Sequence, residues 1–188
     1  LSEQLAIHEN DIRNEIRKYL AANKKDKNVS NGKTINMTAL SRNIPTATVA
    51  AERQIIRLML EDNSIIPYVQ AQMDSDYIQG GSRKIIIKSL FEAYNMGKSL
   101  APEMFALDLP AEAGSELSNI MVMEMQVDDI TRVVDDYLKI IRMAYLKVLY
   151  EQHRLKADEL QRMGDSSYLQ ELAESQRIKD EINKLHHS

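Results

Sequence analysis

Apolar residues recur at spacings of three and four along most of this chain, and the two-residue alternation typical of exposed strands is almost absent. Spacings of three and four keep apolar side chains on one face of a helix with about 3.6 residues per turn. The pattern therefore predicts an all-α fold, a helical bundle followed by a long helix and a C-terminal helical hairpin. The long helix is predicted from about Asp128 to Met163, a length of roughly 54 Å. Its apolar positions are Val134, Leu138, Ile141, Tyr145, Val148, Leu155 and Met163.

The residues that follow predict a tight turn and a second helix. Gly164 suits the left-handed conformation that follows many helix ends, and the next residues, Asp-Ser-Ser, offer side-chain oxygens to the first free amides of another helix. This last helix is predicted from Ser166 to about Leu185. A helical hairpin has little core of its own, so we expect another protein to hold it. We assign most of its stripe to packing within the hairpin, namely Tyr168, Leu172, Ile178, Ile182 and Leu185 against Leu155, Leu160 and Met163.

Turn-forming residues divide the rest of the chain into shorter helices. Residues 1–22 have an amphipathic pattern, whereas residues 23–33 are polar and typical of a linker. A helix follows, with Thr46 or Thr48 as its candidate cap and an end near Asp62. We predict about six helices between this cap and the hairpin turn. The predicted division is residues 1–44 as a preceding segment with linker, residues 45–148 as a globular helical bundle, and residues 149–188 as the C-terminal hairpin.

Composition limits the class of protein. The chain has 188 residues, of which 44% are apolar and 28% charged, enough for one core with an appendage. It contains no cysteine, which excludes disulfides and thiolate chemistry and fits the cytoplasmic location that we expect. No apolar run approaches the length of a membrane span, so we expect no membrane partner. Because residue 1 is Leu rather than Met, we expect the chain to be a fragment of a larger protein.

The net charge of −4 is unevenly distributed. Residues 1–44 hold eight Lys and Arg against five Asp and Glu, so the remaining residues carry the acidic excess. A surface of that sign repels phosphate backbones, and we therefore expect a protein partner and no direct binding of nucleic acid by the main body. The cluster Lys24, Lys25 and Lys27 fits a solvated linker, with a weak phosphate contact as the alternative.

Motifs for catalysis or cofactor binding are not found. The sequence has no glycine-rich phosphate loop, no His-Glu-x-x-His and no nucleophile motif. Paired aspartates on a helix point about 100° apart, so they converge on a metal ion only with distant ligands. We expect no catalytic residue, no metal and no cofactor in this chain. The candidates that we interpret as solvated or packing residues are Asp128, Asp129, Asp135, Asp136, His8 and His153.

The helical segments resemble a known family. The segment 50–60, AAERQIIRLML, followed by a short segment ending near Tyr77, is similar to the start of a module shared by bacterial replicative helicase N-terminal domains and primase C-terminal domains. The helix from Arg83 to Gly97 is similar to the apolar helix of that module. The tail, with RLKADEL at 154–160 and QRIK at 176–179, resembles the primase hairpin rather than the linker helix and motor of the helicase.

The resemblance, from about Thr46 to the end, is to the C-terminal helicase-binding domain of bacterial primases of the DnaG type. It implies that the hairpin docks on the N-terminal collar of the hexameric replicative helicase, coupling primer synthesis to DNA unwinding and modulating the helicase. Residues 1–44 would then end the polymerase domain. The parent would be a nucleotidyltransferase, whereas this chain, which lacks the family's zinc ribbon and polymerase core, is expected not to be an enzyme.

The resemblance directs attention to the final helix for the helicase contact. We expect Leu169, Gln176 and Lys179 to contact the helicase, because they flank the packed stripe and stay accessible in a closed hairpin, with Leu169 as the apolar anchor. Tyr168 and Leu172 complete the predicted helicase-binding set. The alternatives are the N-terminal-type module of a replicative helicase, a helical regulatory or nucleic-acid-binding module, and an enzyme, for which we find no residue constellation.

Overall fold

The computed structural model describes residues 45–123 and 129–187. In that part of the chain every regular element is helical, which confirms the predicted all-α class. All of these residues fall within one compact unit. The helix and linker predicted within residues 1–44 lie outside the described residues. The α-helices are α1 (Thr46–Glu61), α2 (Ile66–Gln72), α3 (Gly81–Asn95), α4 (Pro102–Leu107), α5 (Ala111–Met121), α6 (Ile130–Met163) and α7 (Tyr168–His187).

Helix α1 contacts α3, α5 and α6 and forms the middle of the bundle. The carbonyl oxygen of Pro45 accepts hydrogen bonds from the amides of Thr48 and Val49 at 2.9 and 3.1 Å. The predicted caps, Thr46 and Thr48, are therefore wrong. Because the helix already begins at Thr46, both residues lie within it, and no side-chain hydroxyl occupies the cap position.

Capped turns connect the next helices. The carboxylate of Asp62 accepts a hydrogen bond from the amide of Ser64 at 3.0 Å, ahead of α2. Pro67 lies in the first turn of α2, where a missing amide costs little. Gly97 follows α3 with φ of +64°, a left-handed conformation that glycine adopts at low cost. The end of α3 ahead of Gly97 agrees with the helix from Arg83 to Gly97 that the sequence indicated.

The bundle encloses a single hydrophobic core built by α1, α2, α3, α5 and the first part of α6. Phe105 attaches the short helix α4 to this core. Fully burying one large apolar side chain contributes roughly 1.5–3 kcal/mol to the stability of the fold, relative to leaving it exposed. Its largest fully buried apolar side chains include Ile55, Ile56, Met59, Ile66, Ile86, Ile87, Leu90, Leu117, Ile120 and Ile141.

A charged network crosses the bundle beside this core. Arg83 donates to the fully buried carboxylate of Glu52 at 2.5 Å and to Glu116 at 3.1 Å. Arg53 donates to both oxygens of Glu116 at 2.8 and 3.0 Å. The hydrogen bonds from Arg53, and then those from Arg83, hold the pKa of Glu116 below its usual value. The network links α1, α3 and α5 through charge-assisted hydrogen bonds.

Helix α6 belongs to both the bundle and the hairpin. Its 34 residues span roughly 51 Å. The carboxylate of Asp129 accepts from the amide of Arg132 at 3.2 Å and caps its first turn. Farther along, the ring of Tyr145 stacks on that of Tyr77, with centroids 4.5 Å apart and an interplanar angle of 18°. Because α6 continues without a break across residues 148 and 149, the predicted boundary between bundle and hairpin stays a prediction.

Candidate functional site

The turn between α6 and α7 determines how the predicted site residues are presented. Gly164 has φ of +72°, its amide donates to the carbonyl of Gln161 at 3.1 Å, and the amide of Asp165 donates to that of Leu160 at 3.0 Å. These bonds close the end of α6 around a left-handed glycine, as predicted. The carboxylate of Asp165 accepts from the amide and hydroxyl of Ser167 at 2.9 and 2.6 Å, which lowers the pKa of Asp165. The left-handed glycine and the Asp165 carboxylate as an acceptor are confirmed, whereas α7 begins at Tyr168 rather than at the predicted Ser166.

Two of the buried residues of the hairpin helices have small side chains. Ala157 and Ser175 are buried, as is Ile178. Small side chains allow two helix backbones to lie close together. The Ser175 hydroxyl donates to the carbonyl of Leu172 at 2.8 Å, so its polar group is satisfied inside the interface. These residues lie outside the main core cluster of the bundle, so the hairpin has a small core of its own.

Ion pairs join the two helices along their length. Arg142 Nη2 lies 2.7 Å from Glu181 near the bundle, and Glu171 near the turn contacts both His153 and Lys156. Residue numbers rise along α6 as they fall along α7, so the helices are antiparallel. The pair at Arg142 shows that α7 returns along α6 past residue 149, the predicted start of the hairpin.

Glu171 is the most enclosed carboxylate of the hairpin pairs, with 15% of its side chain exposed. Lys156 Nζ lies 2.5 Å from one of its oxygens, and His153 Nδ1 lies 2.6 Å from the other. A carboxylate only accepts hydrogen bonds, so the imidazole Nδ1 donates. The hydrogen bond from Lys156, and then that from His153, lowers the pKa of Glu171.

The predicted anchor, Leu169, is exposed on α7 while the hairpin is closed. Its exposed fraction is 56%, and that of Leu172, one turn later, is 51%. Gln176 and Lys179 are also exposed. Spacings of three, four and three place these four side chains on one side of the helix. We call this set, Leu169, Leu172, Gln176 and Lys179, the outer face of α7.

The remaining predicted contact, Tyr168, is partly buried and belongs to the inner side of α7. On the outer face, the Gln176 side-chain amide donates to Asp180 Oδ1 at 3.0 Å, which orients it along the helix. The structure thus brings four of the five predicted residues together and separates Tyr168 from them. Whether any of the five contacts a helicase stays a prediction.

Two residues assigned to the packed stripe, Leu172 and Met163, are instead exposed. Met163 ends α6 with 73% of its surface accessible. The inward positions of α7 follow a regular spacing of three and four that includes polar residues, whereas the sequence assignment followed apolar residues alone. Leu172 comes one position after the inward Glu171 and is rotated about 100° from it. The regular spacing was the signal in the sequence from which the inward positions could have been found. These positions are Tyr168, Glu171, Ser175, Ile178, Ile182 and Leu185.

Other polar candidates make ordinary hydrogen bonds or ion pairs where the structure describes them. Asp135 accepts a hydrogen bond from the Tyr68 hydroxyl at 2.5 Å, which raises the pKa of Tyr68, and His153 pairs with Glu171. Asp128 and His8 lie outside the described residues. Among residues 45–123 and 129–187, no group of three or more His, Asp and Glu is arranged to hold a metal ion. The expected absence of metal and cofactor stays a prediction.

The described helices include none that combines the length and apolar character needed to cross a membrane. Comparisons with known proteins add no family to this picture. The chain matches no family model and no curated protein sequence. The resemblance to primase C-terminal domains therefore remains an interpretation of residue patterns.

Proposed function

We propose that this chain is the helicase-binding domain of a bacterial primase of the DnaG type. In this role its hairpin docks on the N-terminal collar of the hexameric replicative helicase, couples primer synthesis to DNA unwinding and modulates the helicase. The resemblance of residues 46–188 to that domain supports the proposal, as does the exposed outer face of α7. The proposed location is the cytoplasm, where bacterial replication takes place.

The outer face of α7 is the observation that carries the proposal. The opposite side of α7 is already packed against α6, so partner binding does not require the hairpin to open. Leu169, Leu172 and Gln176 follow the i, i+3, i+7 spacing with which a helix enters a groove on a partner. Apolar anchors in the centre of such a contact carry most of the binding energy.

Replacing Leu169 by Asp tests the proposal directly. Because the change replaces the proposed apolar anchor by a carboxylate, we expect binding to the replicative helicase of the same organism to weaken by about 2 kcal/mol or more. Isothermal titration calorimetry measures the affinity, and circular dichroism checks that helicity is nearly unchanged. Met96→Asp, at an exposed apolar residue of the bundle, makes the same change in charge and should bind normally.

Ile178→Ala should destabilise the hairpin, whereas Leu169→Asp should weaken helicase binding and leave the hairpin stable. Ile178 is buried between α6 and α7, and truncating a buried isoleucine costs roughly 2–5 kcal/mol of local stability. Hydrogen exchange of the α7 amides should therefore accelerate in Ile178→Ala and not in Leu169→Asp. Normal helicase binding by Leu169→Asp would show that the outer face is not the docking surface.

We also propose that this chain catalyses no nucleotide chemistry. We expect the purified chain neither to polymerise nucleotides on a single-stranded template nor to hydrolyse them. Primer synthesis by the chain alone would contradict the proposal. Binding to single-stranded DNA that falls steeply with added salt would favour the nucleic-acid-binding alternative instead, since phosphate contacts produce that dependence.

A further inference from the structure

A second exposed apolar surface lies on the bundle, on the short helix α4. Met104 and Leu107, one turn apart, are 59% and 77% exposed. Phe105, between them in the sequence, is buried in the core and fixes the orientation of α4. The two exposed side chains are therefore held outward by the packing of their neighbour.

Unpaired carboxylates lie close to these two side chains in the sequence. Glu103, Asp108 and Glu112 are all exposed, and none has a side-chain hydrogen bond or ion pair within the described residues. By contrast, Glu116 on the same segment is paired with two arginines. Residues 101–123 contain no Lys, Arg or His, so the surface has no cation of its own to neutralise these charges.

Helix stability explains only part of this arrangement. Glu103 and Glu112 lie in the first turns of α4 and α5, where negative charge is favourable. Asp108 follows the last residue of α4, where negative charge is unfavourable, and it makes no capping contact with its side chain. The exposure of Met104 and Leu107 is not explained by helix capping at all.

A small residue of α5 lies next to α4. A Cβ added at Gly114 would lie 3.9 Å from the carbonyl oxygen of Ala106, so the two helices are close at this point. The exposed residues of α5 that follow, Ser115 and Ser118, are small. We call Glu103, Met104, Leu107, Asp108 and Glu112, with this side of α5, the acidic α4 surface.

We propose that the acidic α4 surface binds a basic amphipathic helix of a partner protein. Apolar side chains of that helix would cover Met104 and Leu107, and its flanking Lys or Arg residues would pair with Glu103, Asp108 and Glu112. Complementary charge of this kind selects a basic partner and accelerates its association. This inference does not depend on the proposed role of the hairpin.

The test uses the whole chain and a synthetic peptide of about 18 residues, with leucines at helical spacing and lysines on either side. Met104→Lys should weaken peptide binding by about tenfold or more, because it removes an apolar contact and adds a repelling charge. Met163→Lys makes the identical change at an exposed methionine of the hairpin and should bind like the unmodified chain. Fluorescence anisotropy measures both affinities, and circular dichroism checks the fold.

The triple variant Glu103→Gln, Asp108→Asn, Glu112→Gln separates this surface from general attraction between opposite charges. It should weaken binding and flatten its dependence on salt, whereas Asp136→Asn, at an exposed acid of α6, should change neither by much. Equal losses in Met104→Lys and Met163→Lys would overturn the proposal. It would also be overturned if the chain failed to bind the peptide and instead formed a dimer that Met104→Lys dissolved, because the occupant would then be a second copy.

Discussion

Glu52 is a buried carboxylate in a bundle that otherwise excludes charge from its core. Arg83 and the amide of Gln79 both donate to it, at 2.5 and 2.9 Å. Desolvating two charges costs several kcal/mol, and the attraction between them offsets this only when both are well hydrogen-bonded. We therefore expect the pair to add little net stability and to favour the pairing of these particular faces of α1 and α3.

Removing Glu52 leaves the partly buried Arg83 with only its 3.1 Å contact to Glu116, which Arg53 shares, and leaves the amide of Gln79 without its acceptor. We expect Glu52→Ala to lower the free energy of unfolding by about 3–5 kcal/mol, measured by urea denaturation. The control is Glu61→Ala, which removes an exposed i,i+4 partner of Arg57 and should cost about 0.5 kcal/mol. If the two variants lost similar amounts of unfolding free energy, the buried network would contribute no more to stability than an exposed ion pair does.

Most helices were predictable from the sequence because their signals are local. The stripe of α6, the proline at the start of α2 and the glycines after α3 and α6 each depend on residues close in the sequence. The structure confirms them except at Met163, the last predicted position of the stripe, which is exposed. The capping of α1 was missed because Pro45 supplies the cap through its main chain, which leaves no side-chain signal. Face assignment on α7 failed at Leu172 because polar residues at inward positions find their partners on α6, about 18 residues away along the chain at the His153 contact.

The features that were not predictable from the sequence depend on contacts between residues that are distant along the chain. The pairing of Glu52 with Arg83 and of Glu116 with Arg53 joins three helices, and periodicity does not reveal which charged residues will meet. Of the candidate site, the exposure of Leu169 could be predicted, since it flanks the stripe. Exposure of Met104 and Leu107 depends on how Phe105 is packed, which only the assembled bundle determines.

We expect the contacts of Glu171 to make the stability of the hairpin dependent on pH. Because its folded pKa lies below the ordinary value of 4.5, its contribution is fully present above that pH and is lost as the pH falls toward the lowered pKa. Glu171→Gln should reduce hairpin stability near neutral pH by on the order of 1 kcal/mol, discounted for the exposed Lys156. Hydrogen exchange of the α7 amides at several pH values measures the effect.

Glu174→Gln is the matched control for that experiment. Among the residues that the structure describes, the ion-pair partner of Glu174 is Arg177 of its own helix, at 2.9 Å, and both side chains are exposed. It should leave the α7 exchange rates and their pH dependence nearly unchanged. If Glu171→Gln behaved in the same way, the contacts with Lys156 and His153 would not be holding the hairpin closed.

Within residues 45–123 and 129–187, two hydrophobic cores share one helix. Val134, Leu138 and Ile141 of α6 belong to the bundle core, whereas Ala157 of α6 and Ile178 of α7 are buried outside it. Because α6 runs through both cores, it fixes the position of one core relative to the other. Each core can nevertheless form without the other. The bundle and the hairpin are thus suited to separate contacts, one through the acidic α4 surface and one through the outer face of α7.

A chain that ends after residue 148 tests this division. It keeps Val134, Leu138, Ile141 and the stacking of Tyr145 on Tyr77, so we expect cooperative thermal unfolding by circular dichroism, with only a modest decrease in Tm. Helicase binding should disappear in calorimetry, because the outer face of α7 is gone, while the basic amphipathic peptide should bind as before. Helicase affinity equal to that of the intact chain would move the docking site to the bundle. A truncated chain that failed to fold would show that the bundle core requires α7.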